Sequence, residues 1–429
     1  MTPRARALAA LALCACGGTT GTVQVELVVA PSSHVLDAVQ RLRLTLTAPR
    51  QVVEATRTAS GFDLAIELDT TNAGGALIVE GFDAADALIA CGQSPSFPIA
   101  AINAQIAVYM AAPRTIAAAP AALRAPRSGL VATALTYGAV IAGGRDEAGA
   151  PAWTIAVYNA FDHSLVEGIP LPAARAGLAI ATGSAGGVYL FGGTDAGGAS
   201  AGTLWRFDTT VAPNGSYSTI SEQAMFARSG EQLVAIGSEH YLITGKPALE
   251  LASGVLVMRS DIAELPRAGA TAQPDATPTA VFAGPSLVRF RGDAFEPLAG
   301  AGRTDATAVT LPDGRVAVLG GLDDASARDA LVIDGATGTV TTVTGVLATP
   351  RARPAVAATK RHVIVAGGSD PAGAPIQTAE VLDAHTLTPV VTLAITTGGF
   401  ALALPNDQVL LGGSTPASTL LELFTPEPP

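Results

Sequence analysis

A phased glycine pair constrains this chain more than any other feature. An apolar strand runs into glycine at Ala139-Val-Ile-Ala-Gly-Gly144, Val188-Tyr-Leu-Phe-Gly-Gly193, Val316-Ala-Val-Leu-Gly-Gly321, Val363-Ile-Val-Ala-Gly-Gly368 and Val409-Leu-Leu-Gly-Gly413. Weaker copies stand at Tyr241-Leu-Ile-Thr-Gly-Lys246 and Ala280-Val-Phe-Ala-Gly284. Upstream of six copies sits an arginine: Arg127, Arg175, Arg228, Arg267, Arg303 and Arg353, at 16, 17, 17, 17, 17 and 14 residues from the first glycine. A fixed period of this length marks an array of similar supersecondary units, and the array decides the fold.

Each unit reads as antiparallel strands. Pro312-Asp313-Gly314 and Pro405-Asn406-Asp407 are hairpin turns between arginine and glycine. A third strand follows at Ile155–Tyr158, Leu204–Phe207, Val288–Phe290, Leu331–Ile333, Glu380–Leu382 and Leu421–Phe424, and a fourth as in Phe295–Leu298. Residues 113–429 number 317, about 45 for each of seven units; six, the alternative, would need about 53. The segment from Arg114 has no unit of its own, and the last copy ends at Phe424 without a fourth strand. The two chain ends are therefore expected to complete one unit together.

Four strands, a glycine pair after the second and this period resemble the kelch repeat, over residues 113–429. The resemblance implies an all-β chain: a seven-bladed kelch-type β-propeller, or six-bladed in the alternative, like the central domain of galactose oxidase. The usual third-strand Tyr and fourth-strand Trp survive here as scattered Tyr158, Trp205 and Phe207. Glycine suits the pattern because it lets neighbouring backbones approach and adopts positive φ.

Asp146, Asp195, Asp323 and Asp370 each stand two residues after a glycine pair. The resemblance places that loop on the same face as the loop entering the first strand. These carboxylates would then share one mouth with Arg127, Arg175, Arg228, Arg267 and Arg303. As structural residues, the aspartates would cap their own turns and the arginines would tie neighbouring blades. As a site, they would form a polar binding mouth for a sugar or a protein loop.

Residues 23–112 alternate with period two and read as a small β-sandwich, immunoglobulin-like or transthyretin-like in outline. Val23, Val25, Leu27 and Val29 share a face, as do Leu42, Leu44 and Leu46; Phe62, Leu64, Ile66 and Leu68; Leu77 and Val79; and Ile106, Val108 and Met110.

Residues 1–16 carry Arg4 and Arg6, an apolar stretch from Ala7 to Leu13, and then Leu13-Cys14-Ala15-Cys16. This resembles a lipoprotein signal peptide ending in a lipobox, with Cys14 an unusual middle residue. The resemblance implies acylation of Cys16, a tether over residues 17–22, and export to a bacterial envelope. With no Asp after Cys16, the outer membrane is expected, facing the periplasm or the surface. Cys91 would remain as the lone cysteine of the mature chain.

Composition narrows the function. Hydrophobic residues make up 49% and charged residues 14%, which excludes a disordered chain. The long uncharged runs Ala176–Thr194 and Thr386–Asn406 are broken by glycine pairs, so they read as strand pairs and not as spanning helices. The net charge of −11 with no basic cluster argues against nucleic acid. The five histidines stand singly, without metal-ligand spacing, and no nucleophile-elbow or phosphate-loop motif occurs. The copper-radical chemistry of galactose oxidase needs a cysteine cross-linked to tyrosine, and residues 113–429 hold no cysteine. No cofactor and no metal are expected. The expected function is a lipid-anchored, non-catalytic binding or scaffold protein with a protein or glycan ligand, in contact with membrane by its lipid alone. A carbohydrate-directed propeller enzyme, mutarotase-like or lyase-like, is the alternative.

Overall fold

The computed structural model describes residues 20–59, 61–62, 66–69, 74–98, 105–273, 276–323, 327–413 and 418–429. The signal segment, Cys16 and the first part of the expected tether lie outside them. The described chain is essentially all-β, with one short 3-10 turn, Ala224–Phe226. Among the described residues no helix is long and apolar enough to cross a membrane.

Seven four-stranded antiparallel sheets follow the repeat. They are called I to VII here, after their first strands: Val131–Leu135, Ala176–Thr182, Leu233–Gly237, Ala268–Ala272, Ala306–Thr310, Ala355–Ala358 and Phe400–Ala403. The glycine pair lies in the last residues of the second strand or just after it wherever it occurs. The two weak copies build complete sheets, III and IV. Sheet VII takes its fourth strand from the other side of the repeat region. Thr115–Ala118 pairs antiparallel with Leu421–Thr425, as Thr115 with Thr425 and Ala118 with Glu422. The two ends of the array are thus joined by a strand pair.

The second strands explain why the repeat reads as unbroken apolar runs. Val188 and Leu190 enter a core shared by sheets I and II, whereas Tyr189 and Phe191 enter one shared by II and III. A strand buried on both faces has no polar side to show. Further cores lie between III and IV, IV and V, V and VI, and VI and VII. Leu410 and Leu423 of sheet VII then meet Ile141 and Tyr158 of sheet I, and the succession of cores returns to its start. The architecture is propeller-like.

First strands meet at the centre, where small residues allow close approach. Hydroxyls and backbone groups stitch them together. Thr182 Oγ1 donates to the Ala134 carbonyl, Gly230 N–H to Gly177 at 2.8 Å and Thr271 Oγ1 to Ala235 at 2.5 Å. Thr310 Oγ1 donates to Thr271 at 2.6 Å, Thr307 Oγ1 to Pro354 at 2.6 Å and Gly129 N–H to Gly413 at 3.1 Å.

The N-terminal module holds a three-stranded and a five-stranded sheet. The strand Thr20–Val28 sits centrally in the first, parallel to Gln105–Tyr109 and antiparallel to Ile66–Asp69. It begins three residues before the alternation at Val23 and takes in part of the expected tether. The run from Phe62 to Leu68 is divided. Phe62 pairs in the five-stranded sheet and Ile66–Asp69 in the other, with Leu64 outside the described residues. Val25, Leu42, Leu44, Val79, Ile106 and Val108 from both sheets fill one core.

Candidate functional site

The recurring arginines and the glycine pairs are two halves of one joint. Gly143 and Gly144 have φ of +64° and +91°. A Cβ on Gly143 would stand 2.8 Å from the carbonyl oxygen of Arg175 in the next sheet, and one on Gly144 2.6 Å from that of Ser128. The chain before each first strand therefore lies across the glycine pair of the preceding sheet. Gly193 N–H donates to Arg228 O and Gly321 N–H to Arg351 O, both at 2.9 Å.

That last contact corrects one assignment. In sheet VI the residue in the repeat position is Arg351, 16 residues before Gly367. Arg353 is 77% exposed at its side chain and pairs with Asp305 at 2.8 Å. Arg351 is fully buried and donates to the carbonyls of Gly367 and Thr378 at 3.0 and 2.9 Å and to Glu380 Oε1 at 2.7 Å. Glu380 also accepts from the N–H groups of Ala348 and Thr349, so it holds the entry loop and the arginine together. Sheet VII has no arginine here, and Glu422 fills the same role by accepting from Thr396 and Thr397. The repeated interval to the glycine pair was the available signal for Arg351; the paired glutamates of the third strands carried none on their own.

Four of the five arginines expected at the mouth are buried: Arg127, Arg175, Arg228 and Arg303. Arg228 donates to the carbonyls of Phe226, Thr244 and Pro247, and Arg303 to that of Asp329. Arg175 donates to Ala174 and lies 5.1 Å over the Trp205 ring. Loss of hydration pulls each of these guanidiniums, and that of Arg127, below its ordinary pKa. Arg267 differs. Its side chain is 70% exposed and reaches the buried Glu231 at 3.2 Å.

The aspartates stand on the loops after the second strands, and three have one geometry. Asp146 Oδ1 accepts from Ala148 and Ala150, Asp195 Oδ1 from Gly197 and Ala199, and Asp370 Oδ1 from Ala372 and Ala374, all between 2.8 and 3.0 Å. Each carboxylate caps its own turn. Asp195 acts on Arg175, and Asp323 on Arg303, through space. Arg303 and Asp323, together with Asp329 and Thr342, line a cleft of about 580 Å³. Trp153 and Leu322, which sequence reasoning passed over, stand on the same loops with 54% and 57% exposure. Arg145 and Lys246 accompany them as exposed cations.

Among the described residues no group of three or more His, Cys, Asp and Glu side chains is placed to hold a metal ion. Comparison with protein-family models and with curated proteins returns no match for this chain.

Proposed function

We propose that this chain is an exported, lipid-anchored cell-envelope protein that binds a protein or glycan partner through a seven-bladed kelch-type propeller, preceded by a small β-sandwich, and that it is not a catalyst. The signal segment ending at Cys16 supports export and anchoring. One observation carries the binding reading. Arg175, Arg228, Arg303 and Arg351 are committed to carbonyls and Asp146, Asp195 and Asp370 to their own turns, which leaves the exposed loop residues as the contact surface. On that face the loops after the second strands expose apolar Trp153 and Leu322 and the cations Arg145 and Lys246, residue types that serve recognition better than proton transfer.

The soluble chain, screened against glycans and envelope fractions, tests this reading. Binding per folded molecule should fall by tenfold or so for Trp153→Ala, as for an interface anchor, and stay near parental for Asp195→Ala. Loss of binding in Asp195→Ala with Trp153→Ala unaffected would return the site to the carboxylates. Cys16→Ser should move the protein from the membrane to the soluble fraction; unchanged fractionation, with no lipid found by mass spectrometry, would remove the anchor.

A further inference from the structure

The ring has two unlike faces. The N-terminal module meets it on the side of the turns that join first to second and third to fourth strands. Phe161, in such a turn of sheet I, packs against the module core, and its carbonyl accepts from Ala107 N–H at 2.7 Å. Arg361, in the first turn of sheet VI, donates to the carbonyls of Pro428 and Glu427, and the Pro426 carbonyl accepts from the Cys91 thiol at 3.3 Å. The joint is closely packed. Tyr109 of the module, Tyr158 and His163 of sheet I are all buried, and His163 Nδ1 shares a 2.8 Å hydrogen bond with Tyr158. The loops of Asp146, Asp195 and Asp370 leave the sheets at the opposite ends of the strands.

The strand Thr20–Val28 runs through the module toward this joint. Val28 pairs with Tyr109, whose ring enters the core shared with sheets VII and I, while Thr20 pairs with Asp69 at the other end. At about 3.3 Å per residue, Thr20 lies about 26 Å from Val28. We infer that the module is a strut: its Thr20 end meets a lipid bilayer, and it holds the ring clear with the loop face of Asp146, Asp195 and Asp370 turned away. This rests on the reading that Cys16 is acylated. Thr20 is four residues on from Cys16, with three residues between them, at most about 14 Å of extended chain, so the anchor sits close under the strut. The net charge of −11 opposes the body lying down on anionic headgroups.

The chain from residue 17 onward, carrying an N-terminal histidine tag, can be held on phosphatidylcholine vesicles containing a nickel-chelating lipid. A fluorophore is placed on one introduced cysteine, and energy transfer to an acceptor in the bilayer is read. Leu322→Cys and Thr337→Cys mark the loop and turn ends of sheet V; Ala372→Cys and His385→Cys mark those of sheet VI. Comparing two ends of one sheet compensates for tilt of the ring. Because five-residue strands span about 16 Å, transfer should be at least about twofold greater from the turn-side label in both pairs. Equal or reversed transfer in both pairs overturns the strut, whatever the state of Cys16. The expected order in the tagged protein, with unacylated Cys16 in protein extracted from membranes, overturns the bilayer as the surface under the strut. Acylated Cys16 and the expected order together support the inference.

Discussion

Exchanging Arg351 and Arg353 for alanine separates two readings of the repeat in one experiment. Arg351 is fully buried, and its partner Glu380 is 3% exposed at its side chain. Removing the guanidinium leaves the Glu380 carboxylate in the interior with two N–H donors, from Ala348 and Thr349, and no cation. It also strips donors from the carbonyls of Gly367 and Thr378. Breaking such a pair on one side costs about 3–5 kcal/mol, because an uncompensated charge stays buried. Arg353, exposed and paired with Asp305, belongs to the class worth about 0.2–1 kcal/mol. Urea unfolding should therefore show a large fall in midpoint for Arg351→Ala and a small one for Arg353→Ala. Circular dichroism and the fluorescence of Trp153 and Trp205 must report one transition for the midpoints to be converted to free energy. Glu380→Gln leaves the Arg351 guanidinium buried without its counter-charge and should also lower the midpoint strongly. Equal costs for the two arginines, or a loss under about 1 kcal/mol for Arg351→Ala, would refute the argument that the buried pair locks the entry loop onto sheet VI.

Burial holds His163 neutral by lowering its pKa from 6.5 to about 4. The unfolded chain binds a proton at this residue first as pH falls, so its contribution is present above pH 6.5 and is lost between about 6.5 and 4. At roughly 1.4 kcal/mol per unit this amounts to about 3 kcal/mol. Thermal melts across that window should be flatter for His163→Asn than for the parent, and equal slopes would exclude His163 as the titrating group. Deleting residues 414–429 removes Leu421–Thr425 and leaves Thr115–Ala118 without its partner strand, so the cooperative melt should be lost; a melt near the parental temperature would count against closure by the chain ends. Deleting residues 426–429 spares that pair and removes the Pro426 carbonyl from Cys91. The thiol, pushed up to about 12 by burial, should be inert to a thiol reagent in the parent and react in the truncated chain.

The legible parts of the fold share a physical cause. At most of the paired glycines another backbone comes too near for a Cβ, as Arg175 O does to Gly143 and Ala352 O to Gly368, so the phase of the pair marks a joint between units. Runs such as Val188–Phe191 are continuous because both faces are buried, and an isolated run of this kind says strand without saying which sheets flank it. The candidate site was legible as residue types at regular intervals, but not as chemistry. A carboxylate two residues after a glycine pair is equally suited to cap a turn or to face a ligand, and the backbone N–H groups of Ala148 and Ala150 decide for Asp146.

Sequence alone pointed to the all-β class and to the closing role of the segment after Arg114, because each is written in local pattern and period. Tertiary structure settled the repeat position on Arg351 rather than Arg353, and it alone decided that Glu380 and Glu422 hold the entry loops and that the module joins the face opposite the aspartate loops. Those outcomes depend on which groups lose water together. Burial, counter-charge and hydrogen-bond partners come from residues tens to hundreds of positions apart, as Cys91 and Pro426 are, and no local pattern encodes them.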